Sequence, residues 1–113
     1  MAEEKPEATP EPQVNGAEQW PKILKLRKSV PANGADVMEL TFREPTVDDI
    51  IRCGDPVRID YFSGEAKVIY NNDAVSAMMS TLAAVPPSTI KKLALKDWKN
   101  GRLLLTIPFL EDL

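Results

Sequence analysis

The chain has 113 residues, 43% of them hydrophobic, with 14 Lys and Arg against 17 Asp and Glu and no histidine. That length supports one small core, and the missing imidazole removes Ser-His-Asp and Cys-His catalysis, histidine metal ligation and histidine proton shuttling. A net charge of −3, no run of about 18 uncharged apolar residues and a start that is acidic in place of basic-then-apolar argue against nucleic-acid binding, a membrane span and a signal peptide.

The charge is unevenly spread. Residues 1–20 hold Glu3, Glu4, Glu7, Glu11 and Glu18 against Lys5, leaving 12 acidic and 13 basic residues in 21–113. With Pro6, Pro10 and Pro12 and almost nothing apolar before Trp20, residues 1–20 cannot bury enough surface to offset ordering entropy. They read as a disordered acidic, Pro-rich tail on a single domain spanning 21–113. From Lys22 the pattern alternates, with Leu24, Leu26 and Val30 opposed to Lys25, Arg27 and Ser29; a second run opposes Met38, Leu40 and Phe42 to Glu39, Thr41 and Arg43. A two-residue Asn33-Gly34 loop would send the two apolar faces to opposite sides of the hairpin. A three-residue loop, Ala32-Asn33-Gly34, pairs Leu26 with Leu40 and Leu24 with Phe42, and is the expected turn.

Pro45 disfavours a helical Glu44, and Thr46-Val47-Asp48-Asp49 has the hydroxyl-x-x-acid spacing of a helix start, so a short helix is expected from Val47 to about Arg52. As a metal pair Asp48 and Asp49 are poorly arranged, since neighbouring helical residues point about 100° apart; capping is the better reading. A Ser63-Gly64 turn within 57–70 would pair Ile59 with Val68, Tyr61 with Ala66 and Asp60 with Lys67, unless the stretch is a long connection. Asn72 or Asp73 can cap the next helix, which carries Val75, Met78, Met79 and Leu82 as one stripe and ends before Pro86-Pro87. Ser88 or Thr89 can cap its successor, with Ile90, Leu93 and Ala94 in phase and Lys91 and Lys92 turned to water. Asp97-Trp98 either continues that helix or starts another. Asn100-Gly101 weakens helix there, and Pro108 should end it. The terminal segment then has more apolar residues than one face can bury.

No catalytic or metal constellation emerges. Cys53 has no histidine base, Asp55, Asp60 and Asp73 lack calcium-loop spacing, and the five glycines form no phosphate loop. Trp98 reads as core, while Phe109 and Leu110 are divided between core and partner. The fold class is α+β, an N-terminal β-hairpin followed by a small bundle of three to four short helices, with a second hairpin at 57–70 as an open option.

The hairpin ending in Leu40-Thr41-Phe42-Arg43-Glu44-Pro45-Thr46, the helix from Val47, the Met-bearing helix, the corner Val85-Pro86-Pro87-Ser88-Thr89-Ile90 and the stretch from Leu93 to Trp98 resemble the phage tail assembly chaperone family of contractile-tailed phages and Mu-like prophages. The resemblance covers roughly 22–110. It implies a non-enzymatic, cofactor-free protein of the bacterial host cytoplasm that keeps the tape measure protein soluble while the tail tube protein polymerises round it. Self-association is a further expectation, nucleic acid and membrane are not. Met78, Met79, Leu82, Leu103, Phe109 and Leu110 are the expected partner-binding residues. A minor structural tail component and a small prophage DNA-binding regulator are the alternatives.

Overall fold

The computed structural model describes residues 20–62 and 64–111, so the expected tail, apart from Trp20, lies outside the described residues. Two antiparallel strands open the fold, β1 (Lys22–Ala32) and β2 (Ala35–Phe42), followed by α1 (Val47–Cys53). A second antiparallel pair, β3 (Val57–Asp60) and β4 (Lys67–Tyr70), leads into α2 (Asn72–Ala83), α3 (Pro87–Lys91) and α4 (Leu95–Glu111). The architecture is α+β, as the sequence pattern indicated, and the second hairpin is present with Ile59 opposite Val68 and Asp60 opposite Lys67. Ser63 of the expected turn lies outside the described residues.

The first hairpin corrects the expected turn. Ala32 pairs with Ala35, so the loop is the two-residue Asn33-Gly34, with both at positive φ, 53° and 91°. These are the values a tight hairpin turn matched to strand twist requires. The conflict of faces is resolved further along β1: Val30 pairs with Val37 but Lys25 pairs with Glu39, so residues 26–29 stand opposite Met38 alone. A bulge that adds an odd number of residues exchanges the two faces of a strand. Leu24 thereby pairs with Leu40, in place of the expected Phe42, and Leu24, Leu26, Val30, Leu40 and Phe42 all reach the core.

Local chemistry explains the helices that follow. Thr46 caps α1 through a reciprocal capping box: its hydroxyl accepts from the Asp49 N–H at 3.3 Å, and the Asp49 carboxylate accepts from the Thr46 N–H at 2.8 Å. The Arg43 guanidinium closes on the same carboxylate with two bonds, 2.7 and 3.0 Å. Asn71, one residue before the expected caps, holds the start of α2 by accepting from the Ala74 N–H at 3.2 Å. Val75, Met78, Met79 and Leu82 then turn into the core with Ile90, Leu93 and Leu105.

Neither Ser88 nor Thr89 caps α3. Pro86 occupies the cap position and Pro87 the first turn, where a missing N–H costs nothing. Freed from that duty, the buried Thr89 hydroxyl donates to the Pro31 carbonyl at 2.6 Å and ties α3 to β1.

α4 is a separate helix, and it runs through Pro108 to Glu111 instead of stopping there. Pro108 leaves the Leu104 carbonyl without its ladder donor, a loss of one bond with less than one turn of helix beyond it. The glycine that weakens the helix is required by packing. A Cβ on Gly101 would lie 2.9 Å from both Leu24 Cδ2 and Met79 Cε, so the absence of a side chain lets α4 approach β1 and α2.

Candidate partner-binding surface

Three polar anchors fix α4 in the fold and so decide which apolar residues remain outside. The Asp97 side chain is fully buried, and its Oδ2 accepts from the N–H groups of Arg27 (2.9 Å) and Lys28 (3.3 Å), the two residues at the centre of the β1 bulge. The bulge frees those amides from the ladder, and a carboxylate from the first turn of α4 takes them. Trp98 Nε1 donates to Ser76 Oγ at 3.1 Å, joining α4 to α2. Further along, Arg102 stacks over the ring of Tyr70 at 4.2 Å and bonds the Asn72 side chain at 3.2 Å, holding the helix against the β3–β4 hairpin.

With α4 so placed, the second hairpin is covered over only part of its length. Val57, Ile59 and Tyr61 alternate onto one side of β3, and Tyr70 and Val68 stand opposite the first two. At one end Val57 is buried and Arg102 lies on Tyr70. At the other, Val68 is 48%, Tyr61 66% and Phe62 97% exposed. A cleft of about 290 Å³ runs between them, lined by Asp55, Val57, Arg58, Ile59, Tyr61 and Phe109. That end is apolar and aromatic, while Arg58, Asp60 and Lys67 alternate onto the other side of the hairpin.

The expected partner residues divide between core and surface. Met78 and Met79 are fully buried and Leu82 is 3% exposed, so a partner cannot reach these three while the domain is folded. Their stripe is consumed by Phe42, Ile90 and Leu105 from other elements. Leu103 is 52% exposed. Phe109 and Leu110 are half-buried, and only Phe109 of the two packs against the core cluster. Leu103, Ile107 and Leu110 follow at i, i+4 and i+7 and share one side of α4.

Sequence reasoning missed Ile59, Tyr61, Phe62 and Val68. The alternation in 57–70 was the available signal, because a two-stranded hairpin with one apolar face must bury that face against something.

Other polar contacts gather around α1. The Arg43 guanidinium and the Thr46 donors hold the Asp49 carboxyl well below the usual carboxylate range, and the same ion pair raises Arg43. Asp48 pairs with Arg52 at 3.3 Å on the exposed side of α1. Cys53 Sγ lies 3.6 Å from Thr81 Oγ1. Among the described residues no group of three or more His, Cys, Asp or Glu side chains converges to hold a metal, and no helix is long and apolar enough to cross a membrane.

The Arg43-to-Asp49 staple and two of the three α4 anchors, Asp97 and Trp98, lie within residues 24–101, and Arg102 lies just beyond. Residues 24–101 match the model of the family described as phage tail assembly chaperone proteins, E, or 41 or 14. The match stops before Leu103, Phe109 and Leu110. No curated protein and no solved structure gave a match. A family model that matches well over half of the sequence places the chain: it belongs to the phage tail assembly chaperone family.

Proposed function

We propose that this protein covers apolar helical stripes of a tape measure protein in the bacterial host cytoplasm and releases them as tail tube protein polymerises. The observation that carries this reading is the aromatic end of β3–β4, where Tyr61, Phe62 and Val68 are exposed on the monomer, with Leu103 exposed on α4. Exposed apolar area of this kind is retained at a stability and solubility cost unless something binds it. Family membership supplies the setting in which that something is a tail component. Large aromatic side chains are residue types that anchor helix-in-groove recognition, and a shallow, half-covered cleft suits a contact that must later be given up. Phe109 and Leu110 contribute from the rim; Met78, Met79 and Leu82 act only by supporting the scaffold.

Co-expression with the tape measure protein of the same phage or prophage tests the proposal. Wild-type chain should move that protein into the soluble fraction, and Tyr61→Ser with Phe62→Ser should not. Unchanged tape measure solubility with the wild-type chain present would remove the proposal. Retention in the finished particle, the mark of a minor tail component, is read by mass spectrometry of purified tails, where this chain should be absent.

A further inference from the structure

The β3–β4 hairpin also has an open strand edge. The Asn71 N–H donates to the Pro56 carbonyl at 3.0 Å, one step beyond the Val57 and Tyr70 pair that ends the ladder. In antiparallel strands, residues that exchange ladder hydrogen bonds alternate with residues whose N–H and C=O point away. Pro56, Arg58 and Asp60 therefore turn their backbone towards β4, while Val57 and Ile59 turn theirs outward. β3 has β4 as its one sheet neighbour. A cleft of about 290 Å³ beside it is lined, among the described residues, by Arg58, Ile59, Asp60, Tyr61 and Phe62. α4 packs against β3 at the Val57 end, where Val57 is buried, while Arg58 and Tyr61 stay exposed.

We infer that two copies of this chain pair through the outer edge of β3, antiparallel about a two-fold axis at Ile59. That axis sets Ile59 opposite its own symmetry mate, Val57 opposite Tyr61 and Arg58 opposite Asp60 of the second copy. Charge selects this axis. Outward backbone groups meet their counterparts whether the axis lies at Ile59 or at a neighbouring residue, but an axis at Arg58 or Asp60 sets like charges directly opposite each other. Asp60 Oδ1 accepts the Phe62 N–H at 3.0 Å, and its second oxygen is available to the guanidinium opposite. The edge of β4 has no such self-complementarity, because an axis at Val68 sets Lys67 against Ile69. An isologous pairing on β3 closes at two copies and joins both apolar hairpin faces into one four-stranded surface. The pairing strand is four residues long, so the contact falls below the roughly 1,200 Å² of a stable complex and is weak and reversible. It rests on the strand edge and does not depend on the function proposed above.

Sedimentation velocity of the full chain from about 10 μM to about 1 mM tests it, the range in which a weak dimer forms. The dimer fraction should rise across that range. Arg58→Asp and Asp60→Arg should each weaken association about tenfold, since each sets two like-charge pairs across the axis. An equimolar mixture of the two variants should associate again, because mixing restores an Arg opposite an Asp on both sides, and this recovery also shows that both variants are folded. Ile59→Pro deletes an outward N–H, leaves the β4 ladder intact and should abolish the dimer at unchanged circular dichroism. A wild-type chain that remains monomeric throughout overturns the inference. So does a dimer indifferent to these changes, or a mixture that fails to recover what the single variants lose.

Discussion

Replacing Asp49 by Asn should be the most informative single change in the scaffold. Asp49 is 2% exposed and its carboxylate accepts four hydrogen bonds: two from Arg43, at 2.7 and 3.0 Å, and two from Thr46, from N–H at 2.8 Å and from Oγ1 at 3.0 Å. An amide offers one acceptor in place of two and turns its NH₂ towards donors, so the bidentate ion pair and half of the capping box are lost together. Breaking a buried pair by removing one partner costs about 3–5 kcal/mol, but the Arg43 side chain is 49% exposed and water re-solvates it, so about 2 kcal/mol is the reasonable share. Loss of the cap adds about 1 kcal/mol. The sum of about 3 kcal/mol is a large part of a small domain's stability, and with a urea slope of about 1.5 kcal/mol per M it lowers the midpoint by about 2 M. Trp20 and Trp98 fluorescence reports the transition.

The pH dependence has a definite sign. Arg43 depresses the Asp49 pKa in the folded chain below its ordinary value of 3.8, so the carboxylate's contribution is complete above that value and is lost as pH falls through the folded one. The gap between wild type and Asp49→Asn should thus be full at pH 7 and should narrow steadily below about pH 4. A gap under about 0.5 kcal/mol at pH 7, or one unchanged down to pH 3, would refute the assignment of Asp49 as the anchor of α1.

Three further outcomes follow from the packing. Asp97→Ala removes the single oxygen, Oδ2, that accepts both bulge amides and should cost about 2 kcal/mol, with faster hydrogen exchange at Arg27 and Lys28 while the amides of the Asn33-Gly34 turn are unaffected. Gly101→Val sets branched carbons where a single Cβ already lies 2.9 Å from Leu24 and Met79, and should lower stability by about 2 kcal/mol in a thermal melt; Gly101→Ala should be milder, because the neighbouring groups are flexible tips and alanine favours the helix by about 1 kcal/mol. Phe62→Ser, at a side chain 97% exposed, should change stability by less than about 0.5 kcal/mol while reducing the chain's ability to solubilise a tape measure protein.

The sequence by itself determined whatever rests on neighbours a few residues apart. Thr46 and Asp49 are three apart and meet in one helical turn, so the capping box and the start of α1 were legible. The stripe of Val75, Met78, Met79 and Leu82 declared a helix with one apolar side, and Pro86-Pro87 its end. Asp60 and Lys67, by complementary charge, made the second hairpin one of two readings of 57–70, and it is the one that forms. The same local pattern could not say whether an apolar side faces core or partner, because that depends on what arrives from elsewhere.

Only the tertiary structure decided that question. Phe42, Ile90 and Leu105 close over both methionines, whereas α4 reaches too little of the β3–β4 face to cover Tyr61 and Phe62. The first hairpin makes the same point. Its two-residue turn was rejected on local grounds because it separates the apolar faces, and it forms nonetheless because a bulge reverses one strand and a carboxylate 70 residues away receives the amides that the bulge sets free. Gly101 breaks helical propensity for a contact with Leu24 that spans most of the domain. Local propensity is worth tenths of a kcal/mol to about one per residue, while the paired bulge amides and the close helix-to-sheet approach are worth about 2 kcal/mol each, so where the two disagreed the long-range contact prevailed.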